Sequence, residues 1–227
     1  MPKNIAASAG WGRVADELAA EELKVASYDT VIFDRLRNIE GVRWLDYGSG
    51  PGVLAEACKR MSADIHTWDI DPTMNQHCAE RIGEDRVFQS LHEMRGQLFD
   101  IITCNLVMCI VTERTVKEIS DRISRLLRKD GRAFLGFCNP QIFDVPETQL
   151  DIRFPTGDTY FDHHRIPKIK KEGGYRIHDR VRPLSWYHDL FMRSGLEQIA
   201  LHMTQPYKMP GSDRTIRDFV IFEQTRV

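Results

Sequence analysis

Short apolar runs alternate with segments of helical spacing along most of the chain. The first apolar run, 42–45, leads through three glycines into residues 53–61, which have helical spacing, and a second apolar run follows at 64–68. A near-continuous apolar run at 98–105 predicts a central strand that is buried on both faces. Residues 112–127 carry their apolar side chains on one helical face. This alternation predicts an α/β fold with a mostly parallel sheet.

The C-terminal part continues the alternation and then changes it. Residues 184–194 have helical spacing and are followed by Gly195, a residue typical of helix ends. Two apolar segments, 196–203 and 215–222, are then joined by a turn-rich link without a helix, so they must pair antiparallel. The remaining predicted strands are 86–89 and 132–137. The sequence therefore predicts a Rossmann-like, seven-stranded, mostly parallel sheet with an antiparallel last strand.

Two segments lie outside this alternation. Residues 11–38 have the spacing of two short helices, and we expect residues 1–40 to form an N-terminal helical lid. Between 139 and 183 no clear helical or strand period is visible. A stretch of roughly forty residues of this kind is usually a functional loop or a small subdomain. We expect 1–227 to be a single domain in which 139–183 is a cap insertion.

The composition restricts the classes of function. With 31 basic and 33 acidic residues, the formal net charge is −2, which gives no overall electrostatic footprint for nucleic acid or a membrane surface. Five cysteines without a Cys-x-x-Cys pair are interpreted as buried reduced thiols. No apolar run is long enough to span a membrane, and the N-terminus lacks a secretory pattern. We expect a cytoplasmic protein.

A glycine-rich motif and an acidic motif carry the candidate chemistry. Residues 42–52 read Val-Arg-Trp-Leu-Asp-Tyr-Gly-Ser-Gly-Pro-Gly, and Trp-Asp-Ile-Asp-Pro follows about 20 residues later. Glycines allow a sharp turn and let a ligand touch bare backbone at a helix N-terminus. Asp69, at the end of the second strand, is placed to accept both hydroxyls of a ribose. Val53 stands where a third glycine or an alanine is usual. We interpret the pair as a nucleotide-binding site; the alternative is a structural turn with a surface acid.

These motifs resemble motif I and the following acidic motif of class I S-adenosylmethionine-dependent methyltransferases. The resemblance implies S-adenosylmethionine as the cofactor, with the glycine loop under its methionine part, Asp69 on its ribose and Ile70 against its adenine. The cofactor contacts that it implies are Tyr28, Asp46, Gly48, Ser49, Gly50, Asp69, Ile70, Ser90, Leu91 and Asn105. Ser90 departs from the more usual acid. Tyr28 and Trp11 can equally be core anchors.

The run 178–187 resembles a segment before the penultimate helix in the ubiquinone-biosynthesis-like group of small-molecule methyltransferases. It implies methyl transfer to an oxygen, nitrogen or carbon nucleophile of a small molecule by in-line displacement, with 139–183 as the acceptor-binding cap. The substrate-binding candidates are Tyr160, Tyr175 and Arg182. Arg182 lies at the pocket mouth in this interpretation, or else it ties the cap to the core.

A hydroxyl acceptor would benefit from a general base, and the cap contains three histidines that can serve as one. They are His163, His164 and His178. They can also be solvated loop residues, since orientation alone supplies much of the rate of methyl transfer. No cluster of oxygen ligands follows the fourth strand, so no metal is expected.

Two other functions stay open from the sequence. A nucleic-acid or protein substrate is not favoured, because the Asn-Pro-Pro-Tyr-like motif of such enzymes is absent after the fourth strand and the basic tract 165–176 is the only RNA-like feature. A noncatalytic cofactor-binding scaffold is the other possibility, since a fold does not imply an activity. The expected partner is a small-molecule acceptor, without a membrane, for a monomer or a homodimer.

Overall fold

The computed structural model of the protein describes residues 3–20, 28–142, 164–169, 175–208, 211 and 213–227, with only the backbone described for 141 and 164–169. The strands are β1 (Lys3–Asn4), β2 (Arg43–Tyr47), β3 (Asp64–Trp68), β4 (Phe99–Asn105), β5 (Leu127–Cys138), β6 (His164–Ile169), β7 (Tyr175–Val181), β8 (Leu196–Met203) and β9 (Phe219–Arg226). The α-helices are α1 (Ala15–Ala19), α2 (Thr30–Arg35), α3 (Val53–Arg60), α4 (Pro72–Ile82), α5 (Glu113–Leu126) and α6 (Leu184–Arg193). Single turns of 3₁₀ helix lie at Trp11–Val14, Glu84–Arg86 and Pro140–Ile142. None of the described helices is long and apolar enough to cross a lipid bilayer.

The main sheet has the strand order β3-β2-β4-β5-β9-β8. The first four of these strands are parallel, and β9 pairs antiparallel with both β5 and β8. The α/β fold, the parallel sheet and the antiparallel last strand are therefore confirmed. Because parallel strands share one carboxyl edge, the residues that end β2, β3 and β4 lie side by side.

The seven-strand count is not confirmed in the described part of the chain. The strand predicted at 86–89 is reduced to an isolated parallel bridge between Thr67 and Val87. The main sheet therefore has six strands there. β5 begins earlier than the predicted strand 132–137, directly after α5, and its pairing with β4 is irregular between Phe99 and Ile101. Asp130 has a φ of 66° at this irregularity.

Two apolar layers sandwich the sheet, because successive strand residues point to opposite faces. On one face, Trp44 and Ile101 pack with residues of α2, α3 and α4. On the other face, Leu45 and Ile102 pack with α5 and α6. Six of the seven residues of β4 are buried, as the apolar run 98–105 predicts, and Asp100 is the exception. All five cysteines are buried, and none forms a disulfide.

A second sheet has three strands in the order β1-β7-β6. Two of them, β6 and β7, lie within 139–183, where the sequence shows no clear period. β6 and β7 form an antiparallel pair, and β1 from the N-terminus joins β7 in parallel. Burial alternates along β7, with Tyr175 and Ile177 buried and Arg176 and His178 exposed.

Arg182 ties this second sheet to the main core. Its guanidinium is buried, donates hydrogen bonds to the carbonyls of Met108 (3.0 Å) and Val111 (2.6 Å), and donates to the hydroxyl of Tyr187 (3.1 Å). It also lies over the ring of Trp186, 5.0 Å from its centroid. These contacts are the ones expected of an arginine that ties the cap to the core.

We expect Arg182→Ala to lower the free energy of unfolding by about 2–4 kcal/mol, because two buried carbonyls and a buried hydroxyl lose a charged donor. Thermal and urea unfolding followed by circular dichroism measure it. Arg176→Ala is the control, since Arg176 is exposed on the adjoining strand and such changes usually stay within about 0.5 kcal/mol. Equal stabilities of the two variants would contradict the tie.

Candidate functional site

A cavity of about 320 Å³ opens at the carboxyl edge of β2, β3 and β4. Its floor includes Asp46 and Tyr47 from β2, Trp68 from β3 and Asn105 from β4. Its walls come from the loop after β2, the residues that follow β3, the segment after β4 and helix α5. The strands thus bring the two sequence motifs to one site, as their positions at strand ends predict.

The glycine loop after β2 is shaped by three glycines with left-handed backbone, at φ values of 78° for Gly48, 55° for Gly50 and 83° for Gly52. At Gly48 a Cβ would lie 2.4 Å from the side chain of Val107, so a larger residue does not fit. The Cβ position of Gly50 has no atom within 4 Å, so its bare backbone faces open space beside the cavity. A ligand can therefore approach the main chain at Gly50.

Asp69 holds this loop in place. Its carboxylate accepts hydrogen bonds from the backbone amides of Gly50 and Asp71, both at 2.9 Å. The side chain is 8% exposed and lines the cavity. Burial raises the pKa of Asp69, and the two amide donors offset this only in part. Each carboxylate oxygen keeps a second lone pair, which suits the hydroxyls of a ribose.

Asp71 links the N-terminal residues Trp11 and Gly12 to the start of α4. Its carboxylate accepts from the amides of Trp11 (2.8 Å) and Gly12 (3.3 Å) and caps α4 at the amide of Thr73 (3.0 Å). Pro72 occupies the first turn of that helix, where its missing backbone amide would have no intrahelical partner. Desolvation alone would raise the pKa of Asp71, but the hydrogen bonds from Thr73, Gly12 and Trp11 together lower it.

The roof of the cavity is mostly apolar and comes from the two segments outside the main sheet. Ala7, Trp11 and Leu18 belong to the N-terminal region, and Tyr175 and Ile177 belong to β7. Trp11 and Tyr175 meet edge to face, with ring centroids 6.3 Å apart. The lid and the second sheet therefore close the site together.

Most of the predicted cofactor residues line this cavity. They are Asp46, Gly48, Ser49, Gly50, Asp69, Ile70, Leu91 and Asn105. Ile70 is 53% exposed, so its side chain is free to pack against an adenine ring. Tyr28 is instead fully buried behind Asn105, to which its hydroxyl donates at 2.7 Å. The hydroxyl of Ser90 donates to Glu93 at 2.8 Å, and Ser90 does not line the cavity.

The described residues among the predicted substrate and catalytic candidates do not all lie at the cavity. Tyr175 lines the cavity, whereas Arg182 does not. His178 is exposed on the face of β7 opposite Tyr175 and Ile177. His163 and Tyr160 lie outside the described residues, as does the side chain of His164. No histidine is found among the described residues that line the cavity.

The sequence analysis missed the wall that α5 contributes. Thr115, Glu118, Ile119 and Arg122 line the cavity at a spacing that places them on one helical face. The guanidinium of Arg122 donates to the hydroxyl of Tyr47 at 2.7 Å. This spacing was the signal available in the sequence. Across the described ranges, no group of three His, Cys, Asp or Glu side chains is arranged to hold a metal ion.

Comparison with known proteins agrees with this geometry. Residues 45–135 match the family model described as a methyltransferase domain. The chain contains a methyltransferase domain. Its cofactor is S-adenosylmethionine, and the glycine loop and Asp69 lie within the matched part of this methyltransferase. A search of curated protein sequences found no match to the chain.

Solved structures share the fold of the methyltransferase at low sequence identity. A TehB-like enzyme from Corynebacterium glutamicum is 18% identical, with 96% of this chain and 100% of that chain covered and a TM-score of 0.59. An S-adenosylmethionine-dependent methyltransferase from Mesorhizobium loti is 14% identical over 87% of this chain and 96% of that one, with a TM-score of 0.63. The magnesium protoporphyrin IX methyltransferase of Synechocystis, with S-adenosylhomocysteine bound, is 14% identical over 95% and 83%, with a TM-score of 0.54.

We expect Asp69→Ala to weaken the binding of S-adenosylhomocysteine about 10- to 100-fold. The change removes charge-assisted hydrogen bonds of about 1.5–3 kcal/mol and also releases the amide of Gly50. Titration calorimetry measures the affinity, and Asp85→Ala, which removes an exposed acid, is the control. Unchanged affinity in Asp69→Ala would show that the ribose does not bind at this carboxylate.

We expect Asp71→Ala to release the lid, so that the backbone amides of Trp11 and Gly12 exchange with deuterium at least about tenfold faster. Because the pKa of Asp71 is lowered in the folded protein, its contribution to stability is present at neutral pH and is lost only as the pH falls through that lowered pKa. Hydrogen–deuterium exchange with mass spectrometry at pH 7 measures the effect. Asp85→Ala again serves as the control, and equal exchange in both variants would exclude Asp71 as the anchor.

Proposed function

We propose that this methyltransferase transfers the methyl group to a small-molecule acceptor that binds under the lid and β7. The observation that carries the proposal is the position of the cavity, which adjoins both the glycine loop and Asp69 and is roofed by apolar side chains. An apolar cavity suits a small organic molecule better than a nucleic-acid backbone, which needs a basic surface.

The residues of the site fit S-adenosylmethionine. Asp69 would accept the ribose hydroxyls, Ile70 and Leu91 would contact the adenine, and the backbone at Gly50 would lie under the methionine part. When bound, S-adenosylmethionine supplies a methyl carbon that a lone pair of the acceptor attacks in line with the departing sulfur. The protein's contribution is then to hold the acceptor in line and to exclude water, which Trp11, Leu18 and Tyr175 do by covering the site.

The charge of the cavity supports a small acceptor. Among the described residues that line it, Arg122 is the one cation, and it already donates to Tyr47. The neighbours on this fold include enzymes named for magnesium protoporphyrin IX and for a glycopeptide. The acceptors for which enzymes of this fold are named therefore differ widely.

The direct test uses S-adenosylmethionine labelled in its methyl group. We would incubate the protein with separate small-molecule, RNA and protein fractions of a cell extract and follow the label, with Asp69→Ala, at a cofactor concentration too low for it to bind, as the control. We expect the label in the small-molecule fraction. Label in RNA or protein alone would contradict a small acceptor, and tight S-adenosylhomocysteine binding without any transfer would indicate a noncatalytic scaffold.

Once a labelled product identifies an acceptor, Tyr175→Ala should lower kcat/KM for that acceptor at least about tenfold while S-adenosylhomocysteine affinity changes less than about threefold. The reason is that the Tyr175 ring forms part of the roof. His178→Ala is the matched control on the same strand, and it should keep its rate within about twofold because its side chain faces away. A general base at His178 would instead appear as a loss of about 10²-fold or more.

A further inference from the structure

The roof of the cavity is an apolar cluster of its own. Tyr175 and Ile177 of β7 are each 4% exposed and pack with Ile5 and Val14, apart from the two layers of the main sheet. None of the cluster follows β2 or β3, the strands whose ends carry the glycine loop and Asp69. Five of its residues line the cavity, and we call them the acceptor compartment: Trp11, Leu18, Ile110, Tyr175 and Ile177.

Three hydrogen-bond donors of this compartment already have protein partners. The backbone amide of Trp11 donates to the carboxylate of Asp71 at 2.8 Å, and its indole nitrogen donates to the carbonyl of Ala7 at 3.3 Å. The amide of Ile110 donates to the carbonyl of Val107 at 3.1 Å. A carboxylate or phosphate that entered would lose its water without gaining these donors, and this costs free energy.

The wall around Ile110 is held in place by β7 and the residue that follows it. Arg182 donates to the carbonyls of Met108 and Val111, which lie on either side of Ile110 in the sequence. The amide of Arg180 donates to the carbonyl of Cys109 at 2.6 Å. These contacts fix the backbone from 108 to 111, so the compartment is formed by the protein itself and keeps its apolar character when a ligand enters.

The charged residues of the described lining lie outside the compartment. They are Asp46 in β2, Asp69 after β3, and Glu118 and Arg122 on α5. Three carboxylates therefore accompany one guanidinium, which already donates to the hydroxyl of Tyr47. Repulsion by the carboxylates adds to the desolvation cost of an anionic acceptor. A cationic acceptor would lie beside the positive sulfonium of the cofactor, among five residues that carry no acid.

Building on the function proposed above, we propose that the methyl acceptor is an uncharged, mainly apolar small molecule whose body packs in the acceptor compartment, and that charged acceptors are excluded from it. If the nucleophile is a hydroxyl, its oxygen forms the bond to the methyl carbon while the carbon–sulfur bond breaks and leaves its electron pair on sulfur. The hydroxyl proton passes to solvent, and the product is an uncharged methyl ether.

The first test measures the charge of the methylated product. The small-molecule fraction is incubated with the protein and methyl-labelled S-adenosylmethionine, and the labelled product is applied at pH 7 to anion- and cation-exchange resins and partitioned between water and octanol. We expect the product to pass both resins and to be at least about tenfold enriched in octanol, as apolar surface favours leaving water. Retention on either resin would overturn the inference.

The second test places a charge in the compartment at Leu18, which is only partly buried and tolerates polar side chains better than the buried positions of β7. At saturating S-adenosylmethionine, Leu18→Lys and Leu18→Glu should both methylate the acceptor at least about tenfold more slowly than the uncharged variant Leu18→Gln. An anionic acceptor would instead make Leu18→Lys the faster of the two charged variants by about tenfold or more, and a cationic acceptor would favour Leu18→Glu.

Ala20→Lys is the matched control, because it adds a charge at the exposed end of the same helix and Ala20 does not line the cavity. Its rate should stay within about twofold of the wild type. A charged Leu18 variant as fast as Leu18→Gln would overturn the inference. If no labelled small-molecule product forms at all, the proposed function fails and the inference with it, whereas a product retained on a resin contradicts the inference alone.

Discussion

The carboxylate of Asp69 joins the parts of the molecule on which the site depends. Through the amide of Gly50 it fixes the glycine loop, and through the amide of Asp71 it fixes the start of α4. Asp71 then holds the amides of Trp11 and Gly12 and so docks the lid. A ligand that donates to Asp69 would therefore bind at the group that connects the glycine loop with the start of α4.

The rest of the site follows from the parallel sheet. Neighbouring strands deliver Asp69, the glycine loop and Asn105 to one edge in a fixed order. The two apolar layers hold this edge rigid, while the lid and β7, which pack together in a small separate core with Ile5 and Val14, supply the roof. The carboxyl edge of the sheet thus carries the glycine loop and Asp69, and the N-terminal residues and β7 cover them.

The sequence predicts those features that depend on local pattern. The apolar run 98–105 and the amphipathic helix at 112–127 both appear as expected, since each follows from spacing within a few residues. The strand β7 was missed although its burial alternates; its partner β6 lies shortly before it in the chain, and only β1 comes from the distant N-terminus. The strand at 86–89 is too short to pair beyond Thr67 and Val87.

The residues of the site likewise fall into those that a local sequence pattern locates and those that it does not. Asp69 and Asn105 could be predicted because a strand end fixes where a residue lies. The place of Tyr28 could not, because it depends on the missing side chain at Gly136 in a distant strand. Arg182 likewise depends on the carbonyls of Met108 and Val111, which no local pattern locates.

The most direct test of this account is a crystal structure of the protein with S-adenosylhomocysteine. The account predicts both ribose hydroxyls within about 3 Å of the Asp69 carboxylate, the adenine against Ile70, and the methionine part over the backbone at Gly50. A ribose bound away from Asp69, or a nucleoside in the reverse direction with its adenine at Gly50, would contradict it.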